Sequence, residues 1–245
     1  MGRGPSLVAD MLVTGECPAL RMVDAVEEHL IYGLLPSRVA IPVVPAAWHV
    51  YKRITDIALS LILIVVTAPI ILVAALAIGL VSKGSPIFSQ ARVGKDGRIF
   101  KMYKLRTMVP GADVLHEQMR ERNGVSGPVL KIKNDPRLIP IGAFLRRYSI
   151  DELANLWNVL LGDMALVGPR PPLPCEIVNY DVRAFRRLTV KPGVTCLWQI
   201  SGRSDIPFDE WMELDNRYID NWSPLLDLRI IAATVPAVLR ARGAY

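Results

Sequence analysis

The sequence predicts an α+β fold, mainly helical, in the form of a monotopic membrane protein: a proline-broken re-entrant helix, interfacial amphipathic helices and one small β-hairpin. Three observations point there. From Ile57 to Ser82 no charged residue occurs, and most positions are Ile, Leu, Val or Ala. Basic residues stand on both sides of that run. Beyond it, two short segments flank a Gly-Lys-Asp-Gly turn and then give way to helical patterns. The 245 residues suit one domain or slightly more. They divide into an N-terminal appendage and linker (1–46), a membrane helix–break–helix (47–83) and a larger cytosolic, membrane-associated domain (84–245).

Composition narrows the chemistry without choosing it. A net charge of +6 suits nucleic acid, anionic lipid or phosphorylated small molecules equally. Cys17, Cys175 and Cys196 are odd in number and lack CxxC spacing, which argues against a disulfide framework or a zinc site and for a reducing compartment. The histidines His29, His49 and His116 are scattered, without ligand spacing.

Residues 1–46 hold two weak helical patterns and end in the proline-rich "LPSRVAIPVVPAA". Trp48, His49 and Tyr51 then stand where interfacial anchors belong. The apolar run that follows carries a membrane-insertion preference of roughly −5 to −9 kcal/mol from its Ile, Leu and Val alone. As a straight helix it reaches about 39 Å, enough to span. Pro69, near its midpoint, removes a backbone donor and crowds the preceding turn. Lys52 and Arg53 lie before the run; Lys83, Arg92, Lys95, Arg98, Lys101 and Lys104 follow it. A single crossing leaves its basic excess on one side only. Charges at both ends therefore favour a re-entrant segment, with a proline-kinked single span as the alternative.

The segment "IFSQARVGKDGRIFKMYKLRTM" reads as two strands around the turn. Strand alternation puts Lys104 and Arg106 on one face, either to grip a phosphate or as a solvated, charge-protected edge. Residues 111–123 read as a polar helix. In "SIDELANLWNVLLG", Ser149 and Glu152 satisfy a capping box, the apolar positions from Ile150 to Leu161 form a stripe, and Gly162 ends the helix. Asp151 and Glu152 are then either cap and dipole partners or a working pair. In favour of work, Arg146 and Arg147 and the helix dipole would keep Asp151 ionised, and an ionised carboxylate attacks phosphorus. Glu152 projects about 100° away and suits a different task, such as metal positioning. In "GPRPP", prolines hold Arg170 stiffly, and the bond into Pro171 is a candidate cis peptide. No Walker A or GxGxxG pattern occurs. Near the C-terminus, Trp211, Leu214, Tyr218 and Trp222 share a helical face, and "DLRIIAATVPAVLRAR" is apolar with basic ends. Both helices suit either the headgroup plane or an ordinary core.

From about Tyr51 onward the chain resembles the bacterial sugar transferase family, the monotopic polyprenyl-phosphate phosphoglycosyl transferases. The motifs that carry this are the proline-broken run, "KLRTM", "SIDELANLWNVLLGDMALVGPRP", "KPGVTCLWQISGR" and "NWSPLLDLRII". The resemblance implies an enzyme on the cytosolic face of the bacterial inner membrane. Such enzymes move a sugar 1-phosphate from a UDP-sugar to undecaprenyl phosphate with Mg²⁺ and release UMP. "LWQISGRSD" leans toward exopolysaccharide-initiating members that use galactose or glucose phosphate. By the same resemblance Asp151 is the nucleophile that holds the phosphosugar and Glu152 its partner, both beside the metal. Lys104, Arg146, Arg170 and Arg203 match substrate- and phosphate-binding positions, and Pro69 matches the helix break. UDP-sugar, undecaprenyl phosphate and membrane lipid are the implied partners, with no nucleic acid; a homodimer is a candidate assembly. Two alternatives use the same residues: a membrane-tethered phosphatase or pyrophosphatase, and a non-enzymatic assembly scaffold.

Overall fold

The computed structural model describes residues 42–112, 135–177, 180–241 and 243. Nearly all of the N-terminal appendage and of the polar helix expected at 111–123 lies outside these residues. Helix α1 (Ala46–Val81) contains the apolar run and continues through Pro69 without interruption. The expected break is therefore absent as a gap in the helix. Two residues earlier, Thr67 Oγ1 donates to Leu63 O at 2.7 Å, a back-bond of the kind that bends helices.

The polarity of α1 is inverted relative to a soluble helix. Asp56 and Ser60 are buried against the rest of the protein, while Leu61, Val65, Val66, Leu72, Val73 and Leu80 face outward. Asp56 Oδ1 accepts from Leu166 N at 3.0 Å. Lys52 Nζ donates to Asp227 Oδ2 at 2.6 Å and to Val167 O at 3.0 Å. Arg53 donates to Val159 O at 2.6 Å and Leu160 O at 2.7 Å. The basic pair that flanks the apolar run thus docks α1 on the rest of the molecule. At the other end, Ala74 and Ile78 pack with Leu105, Ile139 and Leu145. A helix with an apolar outer face and both ends fastened to one body is consistent with membrane association.

The hairpin is present. Strand β1 (Ile87–Val93) pairs antiparallel with β2 (Ile99–Leu105), from Ile87 opposite Leu105 to Val93 opposite Ile99. Helix α2 (Gly142–Arg147) leads to a 3₁₀ turn (Ile150–Ala154) that runs into α3 (Asn155–Leu161), which ends on left-handed Gly162. A second sheet was not expected: β3 (Ala165–Val167) pairs parallel with β4 (Gly193–Thr195). Its close approach needs glycine, since a Cβ on Gly193 would lie 2.1 Å from Gly168 N. Short helices α4 (Pro174–Ile177), α5 (Val182–Phe185) and α6 (Leu197–Ser201) link to α7 (Phe208–Asp220) and α8 (Pro224–Arg240).

One core cluster joins Phe100 and Met102 of β2 to Leu156 and Val159 of α3, Leu166 and Val167 of β3, and Tyr218 and Ile230 of the last two helices. A second gathers Val93, Tyr180, Leu188, Ile206, Trp211 and Met212. Trp211 and Tyr218 are thus core residues, so α7 takes the ordinary-core reading. By contrast α8 leaves Leu225, Leu228, Val235 and Leu239 exposed, as an interfacial helix would. Cys175 is disulfide-bonded, against the expectation of unpaired thiols; odd count and wide spacing gave no sign of it. Cys196 is free and buried.

Candidate active site

The turn that carries the acidic pair is not a capping box. Ser149 is left-handed (φ 52°) and makes no cap hydrogen bond, so Glu152 is not its reciprocal partner. Its hydroxyl instead accepts from Arg203 Nη2, and Arg203 Nη1 donates to Arg147 O at 3.3 Å. Arg203 is itself left-handed (φ 58°) and buried. Two non-glycine residues in this disfavoured region hold each other in place beside Asp151, and strain of this kind persists only where surrounding contacts over-determine it. Both guanidinium nitrogens thus bond to protein, and Glu152 and Asp151 lie within electrostatic reach of the group.

Strand β2 supplies the first cation. Lys104 Nζ lies 3.0 Å from Glu152 Oε1. The alignment of strand and turn rests on Asn158, a fully buried residue of α3 that acts as an extra strand edge. Its Oδ1 accepts from Tyr103 N at 3.0 Å and its Nδ2 donates to Lys101 O at 2.6 Å. Gln199 of α6 holds the other oxygen, with Nε2 3.3 Å from Glu152 Oε2. Sequence reading missed both residues. Asn158 sits one position past Trp157 within the otherwise apolar stretch 156–161, the only signal available; Gln199 gave none.

The acids are driven apart electrostatically. Burial, reinforced by Glu152, pushes Asp151 up to about 6 against the pull of Lys104 and Arg146. For Glu152 burial also acts upward, but Lys104, Arg170 and the Gln199 hydrogen bond outweigh it and hold the carboxyl below its usual range. Arg146 acts in the expected direction, favouring the ionised form, but burial outweighs it because Asp151 is only 6% exposed. No described side chain donates a hydrogen bond to its carboxylate, so its oxygens stay available.

Among the other expected cations, Arg146 faces Asp151 while its Nε donates to Thr107 Oγ1 at 3.0 Å. Arg106 is not brought to the site. Strand β2 ends at Leu105, and Arg106 Nε donates to Ser85 O at 2.8 Å, bracing the exit from α1. Arg170 interacts with Glu152 and lies 5.6 Å from the Trp211 ring. The bond into Pro171 is trans, since no cis peptide occurs among the described residues. Rigidity comes from the carbonyls of the strap instead. Pro169 O accepts from Gly193 N at 2.9 Å and Pro172 O from Val93 N at 3.0 Å. Arg170 O accepts from Arg187 Nη2 at 2.9 Å, and Pro171 O from Arg92 Nη1 at 3.0 Å. Burial and the nearby Arg170 pull Arg92 down to about 10. Sequence reading counted Arg92 only as a membrane flank.

Among the described residues no group of three or more His, Cys, Asp or Glu side chains is placed to cage a metal. The two adjacent carboxylates fit a weaker demand. Mg²⁺ commonly takes one or two carboxylates and completes its shell with phosphate oxygens and water.

Residues 47–241 match the family described as "Bacterial sugar transferase". The chain is 48% identical over 162 residues to "Galactosyl transferase CpsE" of Streptococcus agalactiae, covering 66% of this chain and 36% of that protein. It is 35% identical to "UDP-galactose-lipid carrier transferase" of Erwinia amylovora, covering 96% and 52%. It is 37% identical to "Exopolysaccharide production protein ExoY" of Sinorhizobium fredii, covering 79% and 88%. The chain thus spans about a third to a half of the first two relatives and most of the third.

Proposed function

The chain belongs to the bacterial sugar transferase family, and from that premise we propose that it moves a sugar 1-phosphate from a UDP-sugar to undecaprenyl phosphate and releases UMP. The sugar is galactose or glucose, and the product starts an exopolysaccharide or related surface glycan. The observation that carries this reading is the paired acids at the turn: Asp151 buried, raised and without a described side-chain donor, Glu152 lowered and held by Lys104 and Gln199. Two adjacent carboxyls with opposed environments suit two roles. The names of the relatives, one a galactosyl transferase and another a UDP-galactose-lipid carrier transferase, support the substrate class.

In this mechanism a carboxylate oxygen of Asp151 attacks the sugar-bearing phosphorus of the donor. The bond from that phosphorus to the bridging oxygen breaks, and UMP leaves with that oxygen. An oxygen of undecaprenyl phosphate then attacks the same phosphorus and returns the carboxylate. Lys104, Arg146 and Arg170 surround the pair and offset phosphate charge, the main requirement of phosphoryl transfer. Gln199 and Lys104 keep Glu152 oriented and ionised beside the nucleophile. Mg²⁺, held by Asp151 and Glu152, would neutralise phosphate charge when bound. The polar inner and apolar outer faces of α1, with both ends moored to one domain, support a re-entrant seat on the cytosolic face of the inner membrane.

The test offers the purified protein in vesicles a panel of UDP-sugars with undecaprenyl phosphate and Mg²⁺. UMP release with a lipid-linked sugar phosphate is expected for UDP-galactose or UDP-glucose. Free sugar phosphate without lipid product would mean water is the acceptor, and no UMP from any donor would end the proposal.

A further inference from the structure

The mechanism uses Arg170 but not the buried ion pair behind it. Arg187 is 4% exposed and Asp215 1%. Arg187 Nη2 lies 2.8 Å from Asp215 Oδ2, and the same nitrogen donates to Arg170 O at 2.9 Å. Nη1 donates to Tyr180 Oη at 2.8 Å. The Trp211 ring is shared, with its centroid 5.3 Å from Arg187 Cζ and 5.6 Å from Arg170 Cζ. One guanidinium thus touches a carboxylate, a phenol, an indole and the backbone of the residue that faces Glu152.

A buried charge pair is a poor way to fill a core, because desolvating both ions costs as much as their attraction returns. What the guanidinium supplies here is geometry: a planar fork with fixed donor directions, which no apolar or ammonium side chain reproduces. Proline leaves the strap short of N–H donors, so its carbonyls are what hold it. Only one of these bonds falls on Arg170 itself.

We propose that Arg187, oriented by Asp215 and Tyr180, is the positioning residue that sets the reach of Arg170 toward the diphosphate of the donor. This rests on the transferase reading, in which Arg170 meets donor phosphate. Arg187 is buried behind the strap, and its effect on the substrate passes through Arg170.

The experiment is a mutant cycle on the full chain in lipid nanodiscs, reading the Kd of UDP in the presence of Mg²⁺, with Tm measured for every variant. Arg187→Lys keeps the charge and loses the fork; Arg170→Ala removes the group it positions. Each alone is expected to weaken UDP about tenfold, the scale of one charge-assisted hydrogen bond. The double variant is expected to bind no worse than Arg170→Ala, because the two act in series. If the losses multiply to about a hundredfold, or if either single change leaves the affinity unaltered, the proposal is overturned. Should Arg187→Lys fail to fold, Tyr180→Phe removes one partner of Arg187 without altering charge and carries the same cycle, with an expected loss of about threefold. UMP release by the unaltered protein reports on the transferase reading separately. Its absence beside a series-type cycle sinks that reading and leaves the positioning role; its presence beside independent losses does the reverse.

Discussion

Replacing Asp151 with Asn should abolish turnover and at the same time strengthen the fold. The carboxyl is buried and sits near Glu152, and its folded value is about 6 against an ordinary 3.8. A shift of about two units corresponds to about 3 kcal/mol between the protonation states. The sign follows from linkage: a value raised in the folded state favours the protonated form. The stabilisation this gives is complete below about pH 4 and is lost as pH rises through about 6. At pH 8 the wild type therefore carries an ionised carboxylate that the fold disfavours, and Asn does not. The expected gain is up to about 3 kcal/mol at pH 8, or about 6–12 °C in Tm for a chain of this size, falling to about half at pH 5 and toward zero below about pH 4. Thermal unfolding in nanodiscs, followed by near-UV circular dichroism from pH 5 to 8 in EDTA, reads this directly. Turnover should fall by roughly 10³-fold or more, as expected when a nucleophile is removed. A variant less stable than the wild type at pH 8, or a stability difference that does not grow with pH, would refute the assignment of Asp151 as a desolvated, unpaired acid.

Removing Lys104 as Lys104→Met takes away a cation that lowers both acids, so the acid limb of the kcat/KM profile should move up by roughly one unit; an unmoved limb would show that the Glu152 contact is incidental. Arg203→Lys frees Ser149 from its latch and should lower kcat roughly tenfold or more, whereas KM for the donor should change little because Arg203 bonds to protein. Lys52→Met leaves Asp227 without its closest cation, and chemical denaturation should show a loss of about 2–4 kcal/mol if the docking of α1 depends on that pair.

What could be read ahead of the structure was whatever local pattern decides. The apolar run, the Gly-Lys-Asp-Gly hairpin and the acids after an arginine pair are contiguous signals, and each led to a correctly placed element. The misreadings share a cause: a distant residue overrode a local preference. Ser149 and Glu152 have the spacing of a capping box, yet Arg203, far along the chain, draws the Ser149 hydroxyl away from the helix start. Lys52 and Arg53 register in the sequence only as charge flanking the apolar run, yet Asp227 and the carbonyl end of α3 claim them. Arg106 lies one residue beyond the end of its strand, within reach of Ser85. The parallel β3–β4 pair was hidden because each strand spans only three residues, too few for alternation to register. Asn158 and Gln199 act through contacts made across the fold, which no spacing rule encodes.

The fastening of α1 at both extremities has a consequence for how the protein tolerates different bilayers. An ordinary spanning helix answers to hydrocarbon thickness, tilting or stretching as the lipid demands. Here Lys52 at one end and Ile78 at the other are tied to the same body, so in the proposed re-entrant seat the depth of immersion would be fixed by the polypeptide, like a keel cut to one draught. Vesicles of short or long acyl chains should therefore present the acidic pair at the same height above the headgroups, and catalysis should vary little with chain length.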